Sequence, residues 1–218
     1  MIKFVTEFIG NCWLILIVVG SGIMGQTLSL DNTAIALLAN SVATGFGLYF
    51  LITIFADISG AHFNPIVTLF ELLQSRIDKR YFFVYLTAQF LGALSGVWLT
   101  HLMFGQSVLQ ISNHDRSEFR YYFSEVIATS GLIIVIHLSS QKKTFVVPAC
   151  VATYIASAYW FTSSTSFANP AVTLARAFTN TFSGIRPHGV LGFIAAQVVG
   201  CVLGFFVVRF FDRQKLNS

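Results

Sequence analysis

Length, composition and charge narrow the class of protein. The chain has 218 residues, of which 55% are hydrophobic and 10% are charged, and its mean hydropathy is +0.73, so a single soluble core cannot bury its apolar side chains. The formal charge of +4 does not indicate nucleic-acid binding, because Lys and Arg lie at the ends of apolar segments and form no basic stripe. Composition therefore predicts an integral membrane protein in contact with the lipid bilayer. Its long apolar runs predict that this protein is all-α.

Six apolar runs are long enough for transmembrane helices. The first, residues 2–24, is longer than the apolar region of a signal peptide and is followed by no small-residue cleavage site, so we predict a retained span. The other five spans are expected near 33–56, 81–104, 119–138, 145–162 and 188–211.

Two further apolar helices are predicted near 64–74 and 169–179, and both are too short to cross a bilayer. A helix over 64–74 rises about 16 Å, roughly half of the ~30 Å hydrocarbon thickness. Short helices at corresponding positions in two halves of a membrane protein are typical of a transport site at the midplane.

The two short helices begin with nearly the same phrase. Asn-Pro-Ile-Val-Thr-Leu begins with Asn64, Pro65 and Ile66, and Asn-Pro-Ala-Val-Thr-Leu begins with Asn169, Pro170 and Ala171. Asn is a strong N-cap and Pro is favoured at the first helical position, so each phrase predicts a helix that starts inside apolar sequence. Because backbone at membrane depth must be satisfied or line a cavity, we expect both Asn side chains to face a lumen. The positive ends of both helix dipoles would converge there and disfavour cations.

The order span, span, short helix, span occurs twice, over about 1–105 and 119–212. Three spans per repeat invert the second copy relative to the first, so the short helices enter from opposite faces. With both termini cytoplasmic, nine of the thirteen Lys and Arg residues lie inside, as the positive-inside rule expects. These nine are Lys3, Arg76, Lys79, Arg80, Lys142, Lys143, Arg209, Arg213 and Lys215. The polar stretch 105–118 then forms an external loop that joins the repeats.

The doubled phrase, the Ser-Gly-Ala-His-Phe lead-in at 59–63 and an early Glu in each half, Glu7 and Glu125, resemble the aquaporin (major intrinsic protein) family over essentially the whole chain. The resemblance implies one channel domain over 1–218: an aquaporin-like right-handed bundle of six transmembrane helices and two half-helices. It also implies an hourglass pore, a homotetramer and a location in the cell (plasma or inner) membrane. No cofactor, metal site or enzyme activity is predicted, because we find no nucleophile–base pair, metal cluster or glycine-rich phosphate loop.

Three ionisable residues lie within or beside the predicted spans. Intramembrane acids are functional by default, so Glu7 and Glu125 could form a proton relay. The resemblance implies instead that they accept hydrogen bonds from the loops before the half-helices. His62 is expected at the cytoplasmic mouth, as a pH sensor or as a hydrogen-bonded wall residue.

The resemblance also points to the residues of a selectivity filter. Water-selective members carry Arg three places after the second Asn, and this Arg forms a narrow filter with an aromatic and a His. Here that position is Val172, and an ungapped count places Thr44 and Ser157 at the other two positions, with Ser166 from the loop. The alternative is that Val172 merely packs against a neighbouring span.

Such a filter would be wide, with hydroxyls opposite an isopropyl group. It fits small uncharged solutes such as glycerol, urea and the neutral hydroxides of arsenic(III) and antimony(III). Val at this position resembles a bacterial aquaglyceroporin-like subgroup associated with arsenic resistance. Arg176 stands about 6 Å further along the second half-helix than Val172, where it adds positive potential to the outer vestibule or anchors the surface.

The leading hypothesis is therefore a passive channel for water and small uncharged solutes. The first alternative is a water-selective aquaporin. An ion-coupled secondary transporter is another, because inverted repeats and broken helices also build transporters, although no charged residue adjoins the Asn pair. The last is a structural membrane protein that has lost conductance.

Overall fold

The computed structural model describes residues 1–30, 32–142 and 145–216, and Lys143, one of the predicted cytoplasmic cations, lies outside them. Within these ranges all regular structure is helical, which confirms the predicted fold class. The eight helices are α1 (Ile2–Leu28), α2 (Thr33–Ser59), α3 (Pro65–Leu73), α4 (Lys79–Met103), α5 (Phe119–Ser140), α6 (Val146–Phe161), α7 (Pro170–Arg176) and α8 (Pro187–Leu216).

Helix lengths separate spans from half-helices. Helices α1, α2, α4, α5 and α8 are long and apolar enough to cross a membrane. The sixth predicted span is α6, which at 16 residues rises about 24 Å and is the shortest. Helices α3 and α7 have nine and seven residues. Helix α7 ends at Arg176, before the predicted 179, because the next amides, those of Ala177 and Phe178, bond to carbonyls three residues back.

Tight pairing of α1 with α4, and of α5 with α8, repeats in the two halves. The contact faces of α4 and α8 carry pairs of glycines four residues apart. A Cβ built on Gly96 would lie 2.5 Å from the carbonyl oxygen of Cys12, and one on Gly200 would lie 2.6 Å from that of Val126. Small residues at this spacing allow close backbone approach between membrane helices. The helix pairs therefore enclose the half-helices in a rigid frame.

Large apolar side chains are exposed along the outside of the long helices. Examples are Trp13, Phe46, Phe83, Phe123, Leu191 and Phe206. A surface this apolar is suited to lipid or to other membrane subunits and not to water. Several of the polar side chains that the fold buries lie around α3 and α7, among them Glu7, Gln89, Glu125 and Gln197.

Candidate functional site

The two half-helices meet end to end through their capping residues. Oδ1 of Asn64 accepts a hydrogen bond from the amide of Ile66 (2.9 Å), and Nδ2 donates to the carbonyl oxygen of Ala168 (2.7 Å). Asn169 repeats the arrangement: Oδ1 accepts from the amide of Ala171 (3.0 Å), and Nδ2 donates to the carbonyl oxygen of Phe63 (2.8 Å). Each Asn therefore caps its own half-helix and is tied to the loop of the opposite repeat.

The loops before the half-helices adopt an unusual backbone. Ala61 and Phe63 have φ of 49° and 46°, and Ser166 and Ala168 have φ of 50° and 45°. Left-handed conformations are unfavourable for residues other than glycine, so they persist only where surrounding structure compels them. In both loops this conformation aims successive amides at one carboxylate.

Glu7 is the carboxylate for the first loop. Its Oε1 accepts hydrogen bonds from Ser59 Oγ (2.6 Å) and from the amide of His62 (3.0 Å). Its Oε2 accepts from the amide of Phe63 and from Nε2 of Gln89, both at 2.8 Å. Four donors therefore satisfy a fully buried acid, which is consistent with the supporting role that the resemblance implied.

Glu125 holds the second loop in the same way. Its Oε1 accepts from Ser164 Oγ (2.6 Å) and the amide of Phe167 (2.9 Å). Its Oε2 accepts from the amide of Ala168 (2.8 Å) and Nε2 of Gln197 (2.7 Å). The two carboxylates thus occupy equivalent positions in the inverted repeats.

Gln89 and Gln197 contact the two buried acids, and the sequence analysis missed both of them. Besides the carboxylates, their Nε2 atoms donate to Oγ1 of Thr68 and of Thr173, each at 2.9 Å. Both threonines lie in the repeated phrase, so each glutamine bonds a half-helix to its supporting acid. The available signal was a glutamine within each of two predominantly apolar spans, α4 and α8.

A cavity of about 100 Å³ runs past both capping residues. Apolar side chains make most of its wall: Leu14, Val18, Leu48, Ile52, Leu132, Ile136, Val147, Val151 and Ile155. Polar side chains are the minority of the wall and include Asn64 and Asn169. A molecule inside therefore meets hydrogen-bond donors at a few points along an otherwise apolar path. The predicted pore residues Pro65, Ile66, Pro170 and Ala171 are buried in α3 and α7 and are not among the residues that line this cavity.

Three of the four predicted filter residues line this cavity, namely Thr44, Ser166 and Val172. Ser157 does not: it is exposed, and its hydroxyl donates to the carbonyl of Thr153 in its own helix. Tyr159 lines the cavity instead. Two residues turn a helix by about 200°, so an ungapped count that was two residues short selected the opposite face of α6.

Tyr159 lies close to Thr44, another residue of the cavity wall. Its hydroxyl lies 3.2 Å from Oγ1 of Thr44, and the two side chains meet at the end of the cavity that the predicted topology places outside. The ungapped placement of Ser157 is therefore wrong, and an aromatic side chain lines the cavity in its place. Spacing offered a signal, because Val151, Ile155 and Tyr159 recur at four-residue intervals on one face of α6.

His62 lies at the other end of the cavity. It also lines a second, wider cavity of about 390 Å³ together with Glu71 and Arg76, which form an ion pair at 3.4 Å. Its Nδ1 lies 3.1 Å from Oγ1 of Thr68, and its ring packs edge-on against Tyr85. His62 is thus a hydrogen-bonded part of the wall.

Arg176 lines the cavity at the end occupied by Tyr159. Its side chain is buried, with a relative exposure of 2%, and its guanidinium lies over the ring of Phe167. The sequence indicated that Arg176 lies near Val172, toward the outer end of the second half-helix. It gave no indication of Phe167 as the contact.

The stretch 105–118 packs against the loops around α7. Arg116 donates from Nε to the carbonyl of Gly184 (3.1 Å) and from Nη1 to that of Ser164 (3.3 Å), so it ties this stretch to the loop before α7. Burial lowers the pKa of nearby His114, and the charges of Arg116 and Arg176 lower it further.

Comparison with known proteins gives consistent matches. Residues 1–163 match the family described as Major intrinsic protein. Aquaglyceroporin AqpS from Rhizobium meliloti (strain 1021) is 46% identical over 205 residues, which cover 94% of this chain and 88% of that protein. Aquaporin A from Dictyostelium discoideum is 25% identical over 237 residues, which cover 98% and 80% of the two chains.

The fold has a counterpart among solved structures. The X-ray structure of the aquaglyceroporin from Plasmodium falciparum matches with a TM-score of 0.74 at 21% sequence identity, over 96% of this chain and 94% of that chain. At this identity the likeness concerns the fold. It agrees with the eight-helix arrangement described above.

Proposed function

Because the chain belongs to the major intrinsic protein family, we propose that it forms a passive transmembrane channel for water and small uncharged solutes such as glycerol. The observation that carries the proposal is the meeting of Asn64 and Asn169 at the centre of one mostly apolar cavity. The name aquaglyceroporin, borne by a protein 46% identical to this chain, supports the same solute class.

The asparagine pair supplies the polar step in the middle of the path. A side-chain amide carries two N–H donors, and in each Asn one hydrogen bond runs to the opposite loop. The second donor serves the lumen that both residues line. The positive ends of α3 and α7 reinforce these donors. A solute that passes therefore offers oxygen as an acceptor and carries no positive charge.

The selectivity filter in this proposal consists of Thr44, Tyr159, Ser166 and Val172. Hydroxyl groups on one side and an isopropyl group on the other suit a solute that is itself both hydroxylated and bulky. Glycerol and urea meet this description, and so do the neutral hydroxides of arsenic(III) and antimony(III), which we include as candidate solutes. Val172 leaves space that an arginine would fill.

The second candidate function is a water-selective channel, and one observation favours it. The hydroxyl of Tyr159 approaches Thr44 to 3.2 Å, and this contact narrows the end of the lumen. A narrow constriction admits water more readily than a three-carbon solute. The two functions differ only in the largest solute that can pass this end of the cavity.

We further propose a homotetramer in the cell membrane with both termini cytoplasmic. The exposed apolar side chains of the long helices, including Trp13 and Phe206, give a surface suited to lipid and to neighbouring subunits. The distribution of Lys and Arg supports the orientation.

Stopped-flow swelling of proteoliposomes tests the proposed function. We expect non-saturating fluxes of water, glycerol and arsenous acid with a low activation energy. Water flux without glycerol or arsenite flux would establish the water-selective alternative. Saturable, ion-dependent uptake would indicate a secondary transporter, and absence of any swelling response would indicate a protein without conductance.

A further inference from the structure

A buried arginine stands at the end of the pore without an acidic partner. Arg176 is 2% exposed and lines the same cavity as Val172 and Tyr159. No carboxylate among the described residues forms an ion pair with it. The carboxylate of Glu125 attracts this guanidinium through space but does not contact it. Because a buried guanidinium without a contacting counter-charge is costly, other contacts and solvent in the lumen must offset that cost.

Two contacts fix the orientation of this guanidinium. Its Cζ lies 3.4 Å from the centroid of the Phe167 ring, a stacked arrangement in which the π face stabilises the cation. Its Nε donates to the carbonyl oxygen of Ser183. Ser183 is in turn fixed to α1, because its hydroxyl donates to the carbonyl of Val18 (3.1 Å). Nε is thus bonded to Ser183, and the N–H groups of the two Nη atoms are available to the lumen.

A second cation lies near the same ring. The Cζ of Arg116 is 5.4 Å from the Phe167 centroid, but its hydrogen bonds run to the backbone carbonyls of Gly184 and Ser164. Arg116 therefore holds the loop that carries Phe167, and it adds to the positive potential at this end of the pore.

From this geometry we propose that Arg176 is a specificity-determining residue that excludes cations at the outer end of the pore, and that Phe167 is its positioning residue. The proposal rests on the channel function proposed above. It assigns to Arg176 the fixed charge that Val172 does not provide. Because Val172 leaves the lumen open beside it, the charge acts on ions without closing the path to neutral solutes.

The size of the expected effect follows from Coulomb's law. Two unit charges a few ångströms apart repel by several kcal/mol at an effective dielectric of 20, and hydration from the lumen reduces this repulsion. We therefore expect loss of the charge to raise cation permeability by roughly tenfold or more. Glycerol flux should change by less than about twofold, because no charge acts on a neutral solute.

The test measures K⁺ or Na⁺ leak and glycerol flux on the same proteoliposomes. Arg176→Gln removes the charge and keeps donors, Arg176→Lys keeps the charge, and Phe167→Leu removes the ring. Arg186→Gln is the matched control, because Arg186 is an exposed arginine on the same side of the protein. We expect increased cation leak in Arg176→Gln and Phe167→Leu, and wild-type leak in Arg176→Lys and Arg186→Gln.

An Arg176→Gln channel that conducts glycerol but leaks no more cations than wild type would overturn the inference. If Arg176→Gln does not fold, Phe167→Leu decides: increased leak supports the inference, and unchanged leak overturns it. Equal increases in Arg186→Gln and Arg176→Gln would also overturn it, because a general surface potential would then be responsible. Absence of neutral flux in the wild type would instead contradict the proposed channel function.

Discussion

The hydroxyl of Tyr159 lies 3.2 Å from Oγ1 of Thr44, although 115 residues separate them in the sequence. The contact joins α6 of the second repeat to α2 of the first at one end of the cavity. It puts an aromatic side chain where the ungapped count had placed Ser157. Residues from both halves of the protein therefore line this end of the cavity.

Removing this contact is expected to widen the range of solutes. Tyr159→Phe keeps the ring and loses one hydrogen bond, worth about 1 kcal/mol, which frees the Thr44 hydroxyl for a solute. We expect the ratio of glycerol to water flux to rise by up to about fivefold, as measured by stopped-flow swelling. Ser157→Ala is the control and should leave the ratio unchanged. The reverse pattern, with an effect only at Ser157, would return the filter to the ungapped assignment.

Filling the space beside Val172 is expected to exclude larger solutes. Val172→Arg adds bulk and a charge at the pore wall, so glycerol flux should fall at least about tenfold, while part of the water flux remains. Val172→Leu, which adds bulk without charge, separates the two contributions. Glycerol flux at the wild-type level in Val172→Arg would show that this position does not face the solute path.

Loss of the second capping asparagine should affect folding and permeation together. Asn169→Ala removes an N-cap, worth about 0.5–2 kcal/mol, and the bond from Nδ2 to the carbonyl of Phe63. We expect lower thermal stability in detergent and reduced conductance per folded channel. Asn32→Ala is the matched control, because Asn32 caps α2 away from the cavity. Normal conductance per folded Asn169→Ala channel would exclude Asn169 from the pore.

The buried acid of the second repeat should be essential for stability. Glu125→Gln replaces one of the two carboxylate oxygens by an NH₂ group, which would face two of the four inward-pointing donors. A loss of about 3 kcal/mol, expected for a disrupted charged network, corresponds to a fall in Tm of roughly 6–12 °C. Glu118→Gln, at an exposed position, should change Tm little. An unchanged Tm combined with altered proton flux in Glu125→Gln would favour the relay.

Local signals in the sequence were sufficient for the helices. Asn followed by Pro predicted where α3 and α7 begin, and the structure starts them at Pro65 and Pro170. The apolar runs predicted the long helices because length and hydropathy are properties of a segment alone. Two copies of one phrase also predicted that Asn64 and Asn169 would come together, because the inverted repeats bring their half-helices to one point.

Only the tertiary structure decided which side chains face the lumen. Each residue turns a helix by about 100°, so an error of two positions in the count selected Ser157, whereas Tyr159 lines the cavity. Gln89 meets Glu7 across 82 residues, and Arg176 lies on Phe167 because Ser183 and Val18 fix it from other elements. These relationships depend on how the helices rotate and pack against one another, and no local pattern in the chain encodes that rotation.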